Sequence, residues 1–244
     1  MEELTTQGIV LRAIDYGEKD KIITIFTADK GRVSAILKGV RRITSRLKYV
    51  SQPFCYADFK LTGRSELMTV SNASEITNFF DITQSYAKMV CGSAILEMVD
   101  NASTIGQSDP ILFDALRRCL GLLADSDINP DLILMRFAIG LFKVSGYAMN
   151  LKTCRICGKS INEDMVVYDL ETGEFCCYKC PVPKYITVSP RAVEIMQKIS
   201  KIPVSALEDI FIMENEAREF RQIVKANFAL RFGWELRSLS TSFD

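Results

Sequence analysis

The stretch GIVLRAIDYGEKDKIITIFTADKGRVSAILKGV, residues 8–40, decides the fold class. It contains three runs rich in Val, Ile, Thr and Phe, at 8–14, 21–27 and 32–40, and each is long enough for a strand and too short for a stable helix. Tyr16-Gly17-Glu18 and Ala28-Asp29-Lys30-Gly31 separate them with the Gly and Asp that tight connections need. Two further runs follow, at 54–62 and 67–76, joined through Thr62-Gly63-Arg64. Five short strands are the count of a small barrel. Such a barrel is commonly an oligonucleotide-binding (OB) fold, although SH3-like barrels share the signature.

After Asp81 the apolar period changes from two to about 3.6. Helices are predicted over 84–101, over 109–124 with Pro110 in the first turn, over 130–148, from Ser189-Pro190 to 200, and over 214–232, where Phe220, Ile223, Val224 and Phe228 share one face. The fold class expected is therefore α+β: an N-terminal five-stranded OB barrel over residues 1–80, then an all-α domain over 81–244 carrying a cysteine-rich insert at about 150–185.

The 244 residues are 48% apolar and contain no histidine. Without histidine the usual general base at neutral pH is missing, as are Ser-His and Cys-His nucleophile pairs and every mixed Cys/His zinc site. A hydrolytic enzyme is disfavoured on that ground, and the chain is expected to be non-enzymatic. The N-terminus lacks a basic segment followed by an apolar one, which points to the cytoplasm. The longest apolar run, 132–149, carries Arg136 and Lys143 seven residues apart on one helical face, so it is expected to be a core helix with a wetted stripe and not a membrane span.

Formal net charge is zero, but its distribution is uneven. Lys30, Arg32, Lys38, Arg41, Arg42, Arg46 and Lys48 fall within residues 30–48, which contain no acid. Seven of the 30 basic residues thus leave an equal acidic excess elsewhere. The core of this segment, Lys38-Gly39-Val40-Arg41-Arg42 with Arg46 and Lys48, offers forked and point charges suited to phosphates, and Gly39 allows close approach. A charge run of this kind is often only a solvated face. Its position on a barrel beside Tyr49, Phe54 and Tyr56, which could stack on bases or belong to the core, favours DNA.

Of eight cysteines, Cys55, Cys91 and Cys119 are isolated. Cys154-Arg-Ile-Cys157 and, nineteen residues later, Cys177-Tyr-Lys-Cys180 form two knuckles whose thiolates can converge on one tetrahedral ion. Four thiolates close the coordination shell, so one structural zinc is expected, with Cys176 left to packing.

Taken together, these residues resemble the RecO family of bacterial DNA repair and recombination mediators. The resemblance is carried by Gly8-Ile-Val-Leu11, Tyr16-Gly-Glu-Lys-Asp20, Thr27, Gly31, Lys38-Gly-Val-Arg-Arg42 with Ser45-Arg46, Gln52-Pro-Phe54, and the double CxxC within a helical second half. It spans essentially the whole chain; Val40 stands where the family often has a small residue. It implies binding of single-stranded DNA, annealing of complementary strands, and loading of RecA with RecR, and in many bacteria RecF, onto DNA coated with single-stranded DNA-binding protein (SSB). The acidic SSB tail is expected to dock on the helical domain beside a guanidinium, with Arg136 the first candidate and Arg117 the second. The competing readings are a zinc-dependent nuclease or deaminase, against which the closed thiolate shell argues, and a zinc-ribbon adaptor that binds only protein.

Overall fold

The computed structural model describes residues 2–63, 67–161 and 165–240; of the expected turn at Thr62-Gly63-Arg64, Arg64 lies outside the described residues. Five strands form first: β1 (Glu2–Tyr16), β2 (Asp20–Thr27), β3 (Gly31–Leu37), β4 (Cys55–Gly63) and β5 (Leu67–Asn78). They close in the order β1-β2-β3-β5-β4, with β4 returning to β1. All neighbours are antiparallel except β3 and β5. That closed five-stranded order is an OB fold, which decides against the SH3-like alternative.

Closure rests on β1, whose 15 residues serve two partners. Glu2 to Ile9 pair with β4, and Gly8 to Tyr16 pair with β2. A register shift between Val10 and Arg12 turns the strand from one partner to the other, as a bulge does where a barrel bends. The interior is filled by Val10, Ile23, Ile25, Val33, Ala35, Leu37, Ala57, Phe59, Leu61 and Val70. In β3 burial alternates at every residue, the pattern of a strand with one wet face. In β2, residues 23–27 are all buried, so its outer face is covered too.

The cover is helical. Among the described residues five helices follow the barrel in the chain: α1 (Tyr86–Ala102), α2 (Pro110–Asp125), α3 (Pro130–Val144), α4 (Pro190–Ile199) and α5 (Glu214–Phe232). Residues 1–85 and 96–124 cluster as one compact unit, and 86–95 with 125–244 as another, so α2 belongs with the barrel. Phe113 of α2 sits 6.0 Å from the Phe26 ring and edge-on to Tyr56 at 6.1 Å. The loop after α1 is equally close to the barrel: Arg32 N–H donates to Thr104 O, and Gly106 N–H donates back to Arg32 O. Gly31, in the left-handed region at φ 60°, lies where a Cβ would sit 2.0 Å from Gln107 O, so only glycine fits there.

In the second unit, α3 opens with the Asn129 side chain accepting from Asp131 N–H, and Pro130 occupies the first turn. Asp131 is then buried against Arg221 of α5 at 2.8 Å, both side chains being under a tenth exposed. Burial raises the Asp131 carboxyl above its ordinary range despite the guanidinium beside it. Three short strands missed by the hydropathy pattern, β6 (Val166–Asp169), β7 (Phe175–Cys177) and β8 (Tyr185–Val188), form an antiparallel sheet in the order β7-β6-β8. Among the described residues no helix is long and apolar enough to cross a membrane.

Since Phe113 covers the outer face of β2, Phe113→Ala should uncover Phe26 and leave a cavity beside Tyr56. A destabilisation of about 3 kcal/mol is expected, visible as an earlier urea-induced loss of the barrel's circular dichroism signal; an unchanged midpoint would mean that α2 contributes nothing to the barrel.

Candidate nucleic-acid interface and metal centre

Residues 38–48 leave β3 as a chain of turns. Gly39 O accepts from Arg42 N–H, Arg42 O from Ser45 N–H, and Lys48 O from Ser51 N–H. Gly39 has φ 64°, which starts the first of these turns, and the Arg42 side chain lies over it. The loop is tied to the β1–β2 hairpin tip: Gly39 N–H donates to Asp20 Oδ1 at 2.7 Å, and Arg41 N–H to Lys19 O at 3.0 Å. The Arg41 guanidinium then bonds Gly17 O at 3.1 Å and pairs with Asp15 at 3.2 Å.

Of the seven basic residues of this segment, the six that are candidates for DNA, Arg32, Lys38, Arg41, Arg42, Arg46 and Lys48, divide. Lys38, Arg42, Arg46 and Lys48 are exposed, and among the described residues no ion pair engages them. Arg41 is a clasp between loop and hairpin. Arg32 is held elsewhere, by the carboxylate and backbone carbonyl of Asp100, which also pairs with Arg12. The aromatics beside the loop take the second of the two readings open to them, the core. Phe54 and Tyr56 are buried, Tyr56 donating its hydroxyl to Gln7 Oε1 at 2.6 Å, and half-buried Tyr49 donates to Ala73 O at 2.9 Å. Tyr56, in β4, lies beneath Phe113 of α2, Tyr49 packs on the barrel core from the short turn at 49–51, and Phe54 is buried in the turn before β4 with φ 70°.

The two cysteine knuckles meet. Cys154, Cys157, Cys177 and Cys180 bring four sulfurs within 4.8 Å of one another. Individual separations are 3.8 Å for Cys154 to Cys180, 3.6 Å for Cys157 to Cys177 and 3.3 Å for Cys177 to Cys180. Sulfurs at about 2.3 Å from a central tetrahedral ion stand roughly 3.8 Å apart, so the cluster is already close to the size that a metal requires. Backbone builds it: Cys154 N–H donates to Lys159 O, Gly158 N–H to Cys154 O, and Cys180 N–H to Cys177 O, closing each knuckle. Arg155 N–H donates to Phe175 O, which fastens the first knuckle to β7.

The thiols do not ionise alike. Burial opposes ionisation of Cys154, but N–H groups of Cys157, Cys177 and Ile156 around its sulfur bring it down to about 6. Cys180, hydrogen-bonded to Cys177, is raised, as expected where one thiolate suppresses the ionisation of its neighbours. Cys176, fully buried in β7 and outside the cluster, is pushed up to about 11, first by burial and then by Cys154. It packs, as do buried Cys55, Cys91 and Cys119. The donor set is all thiolate and suits a soft or borderline ion such as Zn2+.

The two candidate partner residues fall in different units, Arg117 with the barrel and Arg136 with the other helices. Arg136 of α3 donates from Nε to Ile202 O at 2.9 Å. Arg117 of α2 pairs with Asp114 at 2.8 Å one turn earlier, and that contact holds the Asp114 carboxyl below its ordinary range. Ile139, one turn after Arg136 in the chain, lines a cavity of about 370 Å³ together with Lys143, Leu151, Lys152, Gln197 and Lys201. Its other lining residues include Ala148 to Asn150, a segment whose sequence gave no sign of a pocket.

A closed OB barrel with an exposed basic loop is thus followed in the chain by helices and an insert whose four thiols could hold a metal ion. The chain belongs to the RecO family: residues 1–79 match the family model described as "Recombination protein O N terminal", and 83–240 that described as "Recombination protein O C terminal". Among its relatives, the DNA repair protein RecO of Caldicellulosiruptor saccharolyticus is 30% identical over 88% of this chain and 87% of its own length. That of Acetivibrio thermocellus is 33% identical over 74% and 71%, and that of Bacillus subtilis 26% identical over 95% and 91%.

One equivalent of Zn2+ added to the reduced, metal-free chain should protect Cys157, Cys177 and Cys180 from a thiol reagent. Cys177→Ser should remove that protection and lower the melting temperature, because metal binding energy is folding energy for the segment it closes. Equal reactivity with and without the ion would leave the cluster a packing arrangement only.

Proposed function

We propose that this chain is a non-enzymatic recombination mediator that binds single-stranded DNA through the loop at 38–48, anneals complementary strands, and acts with RecR and RecF to place RecA on SSB-coated DNA. The family works in DNA repair and recombination. The observation that carries the finer reading is the group of four exposed cations, Lys38, Arg42, Arg46 and Lys48, on a loop held against the barrel by Arg41 and Asp20. Such a group grips phosphates without reading bases, which annealing of arbitrary sequences requires. The four-thiol site takes one structural Zn2+ that closes the insert and leaves no open position for substrate. A metal-dependent nuclease or deaminase has no support in that arrangement, and a protein-only adaptor leaves the cation group without a role.

A second surface serves the acidic tail of SSB. The cavity between α3 and α4 has apolar walls in Ile139 and Leu151 and three lysines, Lys143, Lys152 and Lys201, at its edge. That combination suits a short peptide ending in carboxylates beside apolar side chains. Arg136, one turn before Ile139, supports the rim by fixing the Ile202 carbonyl.

Each phosphate neutralised on a single strand contributes about −0.7 to the slope of log affinity against log salt. Replacing Lys38, Arg42 and Arg46 together by alanine is therefore expected to flatten the slope by about 2, equally for unrelated sequences, and to abolish annealing while metal content stays unchanged. An unaltered slope would return the loop to the status of a solvated surface. For the tail, Lys143→Glu should abolish binding of an SSB C-terminal peptide and Arg136→Glu should weaken it, with DNA binding intact in both; full peptide binding by Lys143→Glu would place the tail elsewhere.

A further inference from the structure

We infer that Tyr16 is the base-stacking platform of the single-strand site, a reading that rests on the proposal that the loop at 38–48 binds the phosphate backbone. A single-strand site needs π surfaces as well as cations, because each base offers a face whatever its identity. The aromatics nearest in sequence to the basic loop are spent on packing, as Phe54, Tyr56 and Tyr49 demonstrate. Tyr16 is 51% exposed, and in the barrel unit it is the one aromatic so exposed among the described residues.

Its position is fixed by the contacts that build the loop. Tyr16 ends β1 and pairs across the hairpin with Asp20, whose carboxylate receives Gly39 N–H. Its chain neighbours Asp15 and Gly17 are the two groups that the Arg41 guanidinium grips. The ring therefore stands on the segment that the basic loop clasps, and moves with it. Two residues back on the same face is Ile14, 53% exposed and paired across the ladder with Ile22. Ile14 and Tyr16 thus make an apolar ledge at the hairpin end of the barrel, on the segment that the Arg41 guanidinium grips. In OB folds the loop between the first two strands is a common element of oligonucleotide contact. An aliphatic and aromatic ledge facing solvent at that place fits unpaired bases, whereas a paired duplex presents mainly phosphates there.

Stacking and charge can be separated with two probes: an ordinary single strand, and a strand of the same length made of abasic units, which keeps every phosphate and lacks every base. Tyr16→Ala is expected to weaken the ordinary strand on the order of tenfold, to leave the abasic strand unaffected, and to preserve the salt slope, while Tyr16→Phe restores wild-type affinity. Tyr16→Trp in a Trp234→Phe background gives a second readout, its fluorescence being quenched by the ordinary strand and not by the abasic one. Wild-type affinity of Tyr16→Ala for the ordinary strand, or an equal loss on both strands, would overturn the stacking role even with the salt slope intact. Failure of the backbone reading has a different signature: no salt slope in the wild-type protein, or none lost in the Lys38, Arg42 and Arg46 triple variant.

Discussion

Closure of the barrel depends on a single strand that satisfies two neighbours. Every backbone donor and acceptor of a buried sheet needs a partner, and an open edge exposes a row of unpaired groups. β1 answers this by pairing β4 with its first half and β2 with its second, the register shift near Val10 and Arg12 redirecting it. Once β1 is fixed, the hairpin tip at 15–20 has only one place to stand, and the loop after β3 meets it there. The cation group, the Arg41 clasp and the exposed Tyr16 are all consequences of where β1 ends.

The clasp has an energetic meaning for binding. Ordering a loop upon association subtracts from affinity, and a loop ordered beforehand avoids that loss. The carboxylates of Asp15 and Asp20 hold the loop, one through a guanidinium and one through a backbone N–H. Acidic residues inside a basic loop thus act as fasteners, while Lys38, Arg42, Arg46 and Lys48 stay exposed and, among the described residues, outside any ion pair. The cysteine cluster follows the same logic in the second unit, where backbone N–H groups gather around the Cys154 sulfur.

Much of this was legible in the sequence. The five strands followed from β-branched runs and turn residues, and the five helices from the change of period; α5 was expected over 214–232 and is found there. The double CxxC disclosed which four thiols come together, because its spacing folds each pair into a turn. Ion pairing was not legible. Arg32 and Arg41 looked like their neighbours in a charge count, since their partners Asp100 and Asp15 lie far away in the chain or across a turn. Nor could a helical period show which surface its apolar face covers, so nothing marked α2 as the cover of Phe26 and Tyr56. The strands β6, β7 and β8 have only three or four residues each, too few for alternation to register. Tyr16 was read as part of a turn motif, and its exposure became visible only with the outer face of β1.

The covering of β2 by Phe113 also has a temporal side. During synthesis the barrel strands emerge before the helix that shields them, so the outer face of Phe26 stays uncovered until α2 has left the ribosome. At bacterial elongation rates the interval between β2 and α2 lasts several seconds, roughly five to twenty. Over that time the nascent chain displays an unshielded aromatic surface beside unclosed strand edges, the kind of surface that chaperones bind and that promotes misassociation. The thermodynamic cover of the mature barrel is thus a kinetic liability of the growing one, and translation speed across residues 80–125 becomes a determinant of how much of the protein reaches its native state.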